Sequence, residues 1–175
     1  QPGHGAELAA TALQQGRRSI AVAGGDGSVN EVVHGIMSAG LADTRWSLNA
    51  AWLDYDRDGD LDLFVSNYLE YDEGKFRSFY AAAGYPGPLS YNGVSCALYR
   101  NEGGGRFRAI QFERGVFMDA GGHPIPPFRD WGLSAMFRDL NRDGAPDLYV
   151  CNDNASPDRV WMNTGDGTFR AADPK

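Results

Sequence analysis

The chain is poor in the residues that mark the commoner chemistries. It holds two cysteines, Cys96 and Cys151, and three histidines, His4, His34 and His123, among 175 residues. Two cysteines in a chain of this size decide nothing about compartment, and whether they pair is left open. The histidines are scattered without metal-ligand spacing and read as structural. Positive charge is scarce, with 16 basic against 23 acidic residues and a formal net charge of −7. That balance excludes a nucleic-acid partner, which needs clustered basic residues. No apolar run reaches the roughly 18 residues of a membrane-spanning helix, and no secretory leader pattern is read. Gln1 stands where an initiating methionine would, so a processed, excised or constructed chain is expected.

Acidic residues are abundant, and they are concentrated in two short loops. The first runs Asp54-Tyr-Asp56-Arg-Asp58-Gly59-Asp60-Leu-Asp62, and the second, 85 positions later, Asp139-Leu-Asn141-Arg-Asp143-Gly144-Ala-Pro-Asp147. Both fit D-x-[DN]-x-D-G-x-x-D, and both lead into apolar, strand-like stretches. Oxygen ligands at alternate positions of a tight glycine-containing turn suit a hard cation such as Ca²⁺, which takes roughly six to eight oxygens at about 2.3–2.6 Å. The plain alternative is a solvated acidic turn, because Asp and Gly favour turns without any ligand. Against it stands the cost of packing so many like charges into one turn with only Arg57 to offset them. The sequence therefore predicts two Ca²⁺ sites. Asp54, Asp56, Asp58, Asp60 and Asp62 are the expected ligands of the first, and Asp139, Asn141, Asp143 and Asp147 of the second. An EF-hand is excluded: its twelfth position needs a bidentate glutamate between helices, and here Val65 and Val150 occupy that position within strand-like alternation.

Each loop, together with the strand-like stretches after it, resembles the FG-GAP/VCBS repeats of integrin-like β-propellers, with cartilage acidic protein-like chains the nearest in pattern. The first copy continues from Asn67 to Leu98-Tyr-Arg-Asn-Glu-Gly-Gly-Gly-Arg-Phe107, and the second from Asn152 to Val160-Trp-Met-Asn-Thr-Gly-Asp-Gly-Thr-Phe169. The resemblance implies four short antiparallel strands per repeat, with Ca²⁺ held between the first two. It also implies a metal-rigidified binding scaffold rather than a catalyst, extracellular or in the cell envelope if that part is natural. A surplus in the first copy is rich in Tyr, Gly and Pro. Its Tyr68, Tyr71, Phe79, Tyr80, Tyr85 and Tyr91 offer a contact surface for a protein partner, since aromatics anchor interfaces; packing over the sheet edge is the other reading. Asp153 or Asp158 near Trp161 could be imagined as a general acid. No pocket that would shift its pKa can be read, so 152–158 is taken as a polar turn.

The first 45 residues have a different pattern. Residues 6–15 are Ala/Leu-rich and read as a helix, 19–23 as a buried strand, 24–28 as a tight turn and 29–37 as a second helix. A glycine-rich turn between strand and helix is a ready phosphate site. The string Gly-Gly-Asp-Gly-Ser-Val-Asn-Glu resembles the nucleotide-binding segment of the diacylglycerol and sphingosine lipid kinases. In that family the corresponding turn contacts ATP phosphates, which maps here onto Gly24, Gly25, Asp26, Gly27 and Ser28. The likeness stops near Gly40, without the lipid site or catalytic carboxylate that turnover requires.

The expected fold class is α+β: a helix–strand–helix segment over 1–45, then two antiparallel units of propeller-blade type over 46–175. The expected function is a non-enzymatic calcium-binding scaffold or protein-interaction module. Two alternatives stay open, a nucleotide-binding remnant of a lipid kinase and an artificial recombination of segments without evolved activity. Two units cannot close a propeller, which usually takes about four to eight blades. Self-association through strand edges or swapped segments is therefore expected, unless the N-terminal helices, with Leu8, Leu13, Val29, Val32, Val33 and Ile36, cover the sheet or the uncovered faces belong to a longer parent chain.

Overall fold

The computed structural model describes residues 8, 11, 45–70, 91–104, 106–111, 113–153 and 156–172. Four strands form the first sheet: β1 (Trp46–Leu53), β2 (Asp62–Leu69), β3 (Ala97–Asn101) and β4 (Phe107–Ala109), an antiparallel meander in sequence order. β2 is buried along almost its whole length, which suits its Leu-Phe-Val run, since a strand covered on both faces need not alternate. The second sheet contains β5 (Phe117–Met118), β6 (Gly132–Arg138), β7 (Asp147–Asn152), β8 (Arg159–Asn163) and β9 (Phe169–Ala171), in the order β5-β9-β8-β7-β6. All its pairings are antiparallel except that of β5, which runs parallel to β9. That two-residue strand covers an edge of β9 that would otherwise present unpaired backbone groups.

The two sheets share one register. Leu53 pairs with Asp62 and Ala51 with Phe64 in the first, and Arg138 with Asp147 and Met136 with Tyr149 in the second. Each pairing in the second sheet lies 85 residues after its counterpart. The opening strands even slip at matching places, between Ser47 and Asn49 and between Gly132 and Ser134. Gly132 is fixed by space: a Cβ there would lie 2.8 Å from Cys96 Sγ and 2.9 Å from the Asn67 carbonyl oxygen.

The sheets face each other across a single apolar core. Leu53, Phe64 and Leu98 come from the first sheet and Leu148, Val150, Trp161 and Phe169 from the second. The segment joining the sheets adds Ile110, Val116 and Phe117. Phe117 is the hub of this layer: it meets Trp161 edge-on at 5.0 Å and stacks on Phe169 at 5.5 Å. Phe128 stacks on Trp161 at 5.2 Å and meets Phe117 edge-on at 6.4 Å. Arg159 lies 4.4 Å over the Phe128 ring and forks onto the buried Asp130 carboxylate at 2.9 and 3.2 Å. Polar ties also cross the gap, from Ala135 N–H to Asn49 Oδ1 at 3.1 Å and from Tyr68 OH to Asp153 Oδ2 at 2.7 Å.

The expected α+β class is corrected. The described chain is nearly all β, with no helix among its elements. Class is set by what packs in the core, and the described core residues come from strands and from the loops between them. Helical composition over 1–45 is a local preference only, and short helices derive most of their stability from tertiary packing. Leu8 and Thr11 have helical backbone, yet Leu8, expected to cover a sheet, is 58 % exposed. The rest of the expected helix–strand–helix segment, including Gly24, Gly25, Asp26, Gly27 and Ser28, lies outside the described residues. So does most of the aromatic segment, 71–90.

Because Phe117 packs against Trp161, Phe169 and Phe128 within the core, Phe117→Ala is expected to cost about 3–5 kcal/mol. Urea unfolding followed by tryptophan fluorescence checks it. A single, earlier transition is the expected result, whereas a loss below about 1 kcal/mol or two separate transitions would argue against a shared core.

Candidate metal centre

The loops joining β1 to β2 and β6 to β7 have the same internal wiring. Asp54 Oδ2 accepts Gly59 N–H at 3.1 Å, and Asp139 Oδ2 accepts Gly144 N–H at 2.9 Å. Asp58 Oδ1 accepts Asp60 N–H at 2.9 Å, and Asp143 Oδ1 accepts Ala145 N–H at 2.8 Å. The sixth position of each is glycine with φ of 91° at Gly59 and 85° at Gly144, a region side chains rarely enter. The fourth positions, Arg57 and Arg142, adopt positive φ of 61° and 66° despite carrying side chains. The chain curls at these two points and turns the side chains of alternate residues toward its inside.

Asp62 and Asp147 hold the loops in place. Both are fully buried. Asp62 accepts Tyr55 N–H at 3.1 Å and Asn101 N–H at 2.8 Å; Asp147 accepts Leu140 N–H at 2.7 Å and Asn163 N–H at 2.8 Å. Each carboxylate therefore ties the start of its loop to the third strand of its repeat. The partner asparagines complete the clasp. Asn101 donates its amide to the Leu61 carbonyl at 3.1 Å and accepts Gly103 N–H at 3.0 Å. Asn163 does the same with Pro146 at 3.2 Å and Gly165 at 2.9 Å, and also reaches the Tyr55 carbonyl of the first loop at 2.9 Å. These asparagines were not singled out from the sequence, although Asn-x-Gly recurs at Asn101 and Asn163 after each loop and marks them.

The loops differ in what they leave open. Oxygens of Asp54, Asp56 and Asp58 lie within 4.8 Å of one another. Asp54 Oδ1 is buried and has no hydrogen-bond partner among the described residues. A buried, unsatisfied carboxylate oxygen is costly, and a cation in this cluster is what would satisfy it. The donors are all hard carboxylate oxygens, so the residues fit Ca²⁺. Asp60 stands apart, with Oδ2 4.0 Å from where a Cβ on Gly103 would be. In the second loop Asn141 Nδ2 donates to Asp143 Oδ2 at 2.7 Å, while Asp139 Oδ1 accepts Asp143 N–H at 3.1 Å. That loop closes on its own hydrogen bonds.

Charge is divided in the same way. Burial, and next the charge of Asp58, push the Asp56 carboxyl above its ordinary range. Asp143 is held below its range by Ala145 N–H, by the Asn141 amide and by Arg57. Arg57 belongs to the first loop but leans onto the second: its guanidinium nitrogens lie 3.6 and 4.0 Å from where Cβ atoms on Gly144 and Gly165 would stand. Asp158 accepts Tyr149 OH at 2.5 Å and Asn152 N–H at 2.9 Å. Those bonds hold it below the usual carboxylate range, the opposite of what a general acid requires.

The asparagine clasp can be tested by truncation. Asn163→Ala is expected to cost about 2–3 kcal/mol and more than Asn101→Ala, because it alone also frees the Tyr55 carbonyl; urea midpoints compare them. The buried anchor can be tested by pH. Burial raises Asp62 to about 7 against the N–H groups of Asn101 and Tyr55, whereas an unfolded aspartate titrates near about 4. The metal-free fold thus binds this proton more tightly than the unfolded chain and loses stability as pH rises through that window. In EDTA, Tm should fall between about pH 5 and about pH 7; a rise would contradict a buried, proton-holding Asp62.

Residues 139–175 match the family model of the FG-GAP-like repeat, and residues 1–49 match that of the diacylglycerol kinase catalytic domain. No curated protein matches the chain. The repeat match begins at the first residue of the second acidic loop and contains β7, β8 and β9. The first loop lies outside it but repeats its hydrogen bonds. An FG-GAP-like repeat fits a protein-interaction module.

Proposed function

We propose that the chain is a calcium-binding scaffold whose residues 46–175 serve protein interaction without catalysis. The observation that carries this reading is the convergence of Asp54, Asp56 and Asp58 around a buried carboxylate oxygen without a partner. Asp54, Asp56 and Asp58 would hold the ion in the first loop, and Asp139, Asn141 and Asp143 in the second. Asp62 and Asp147 would act chiefly by fixing loop shape. The second site should be the weaker, since Asn141 replaces a charge and Arg57 already balances Asp143. Bound Ca²⁺ would neutralise like charges and lock the β1–β2 turn, stiffening the surface offered to a protein partner.

Mg²⁺ should substitute poorly, because it demands near-octahedral geometry at shorter distances and gives up its water reluctantly. A ligand binding only the folded state adds about 4 kcal/mol at a thousandfold excess over Kd. Tm is therefore expected to rise with CaCl₂, respond much less to MgCl₂ and fall with EDTA. Isothermal titration should resolve two unequal sites, the tighter removed by Asp58→Ala. A melt indifferent to Ca²⁺ and EDTA defeats the proposal.

The match of residues 1–49 to a diacylglycerol kinase catalytic domain supports a second reading, nucleotide binding at Gly24, Gly25, Asp26, Gly27 and Ser28. Titration with Mg-ATP separates the two: heat lost in Asp26→Asn would favour it, and no heat would leave the calcium scaffold alone.

A further inference from the structure

The first sheet docks on the second through one face. The cross-strand row Ala51–Phe64–Leu98 runs over β1, β2 and β3, with Phe64 edge-on to Phe137 at 6.1 Å. Beside it Tyr55 of the loop stacks on Phe169 at 5.9 Å. Tyr55, Phe64 and Leu98 are at most 4 % exposed. The second sheet builds the same face 85 residues later. Its row is Met136–Tyr149–Val160 over β6, β7 and β8, with Leu140 in the place of Tyr55. Here Met136 is 52 % exposed and Leu140 48 % exposed. A docking face is thus repeated, and among the described residues no sheet is docked on it.

We infer that the Met136–Tyr149–Val160 face binds a second copy of this chain, like face to like face about a two-fold axis. This rests on the reading of the chain as an interaction module and replaces strand edges with a sheet face as the contact. The complementary surface is not free to receive it. In the second sheet the first sheet lands on Leu148, Val150 and Trp161; the equivalents in the first sheet are Leu63, Val65 and Tyr99, at 0, 0 and 4 % exposure. Because that surface is already buried, head-to-tail addition is blocked, and each copy has the open face itself to offer. A self-complementary patch closes as a dimer. Charge agrees: exposed Arg138 and Arg142 lie at the loop end of the face and exposed Asp158 at the opposite end of the strands. With the two-fold axis lying in the interface and across the strands, each basic end is set against an acidic one. Asp139 and Asp143 also lie at the loop end, with their oxygens engaged inside their own loop.

Sedimentation velocity of the full chain in CaCl₂, over about a hundredfold range of concentration, tests this. The expected result is reversible conversion from the 19.0 kDa monomer to a dimer. Met136→Glu should raise the dimer dissociation constant at least about tenfold, a cost of about 1.4 kcal/mol, with Tm unchanged. Leu140→Asp is the second variant should the first not fold. Trp46→Glu, at an exposed site on β1, should leave dimerisation intact. A monomer at every concentration, assembly beyond two copies, or a dimer indifferent to both Met136→Glu and Leu140→Asp would overturn the inference. The Ca²⁺ dependence of Tm is scored on the same samples. A normal calcium response with no dimer refutes this face alone, while loss of the calcium response refutes the scaffold reading instead.

Discussion

Everything in each repeat depends on one buried carboxylate. Asp62 and Asp147 are placed where a charge is least welcome, at zero exposure in the middle of a sheet. Burying a carboxylate is costly unless hydrogen bonds compensate, and here each accepts two backbone N–H groups from segments far apart in sequence. The bonds are directional, so they set both where the loop leaves the first strand and where the third strand ends. Without that anchor the loop carboxylates would have no fixed geometry, and their mutual repulsion would open the turn. Tertiary structure therefore comes before any bound ion: the fold supplies the convergence, and a cation would supply the neutralisation.

The two copies divide this task unequally because they are neighbours. Arg57 is a first-loop residue by sequence, yet its positive φ of 61° and its reach place its charge beside the second loop. The effect is to shift positive charge from the loop with more carboxylates to the one with fewer. Asn163 links them in the other direction, passing from its own loop to the Tyr55 carbonyl. An ion bound in one loop would thus be felt in the other through two short, packed contacts, with no need for a longer relay.

The loops were legible in the sequence because their chemistry is local. Asp at alternate positions, Gly at the sixth and a succeeding apolar run are enough to place a tight acidic turn before a strand, and β2 and β7 begin at Asp62 and Asp147. Val65 and Val150 are buried strand residues, in keeping with the rejection of an EF-hand. What was illegible is what depends on partners distant in sequence. Nothing in Asp62 itself shows that its oxygens face Tyr55 and Asn101 rather than the loop interior. Nor does Phe117-Met118 read as a strand, since two residues carry no period and their parallel pairing to β9 is decided by space at the sheet edge. The α+β expectation failed for a related reason. It gave local helical preference the same standing as strand alternation, while the described core is built by strands and the segment between the sheets.

Repetition explains more of this molecule than composition does. A repeated unit that buries its face on the next copy carries both halves of an interface, one on each side. In the middle of an array both halves are used, which is why stability in such proteins behaves as a sum over units and their contacts. Here the first sheet has its outgoing half filled by Phe137, Leu148 and Trp161, whereas the second presents the same half through Met136 and Leu140 at about half exposure. Substitution has tracked that difference only in part. Tyr149 keeps the aromatic character of Phe64, and Val160 stays as apolar as Leu98. Arg138, however, stands where Leu53 is buried. Met136, Tyr149 and Val160 stay apolar or aromatic in register across three strands, with Arg138 beside them. An apolar centre with a charged rim is the make-up of a surface that meets its partner reversibly.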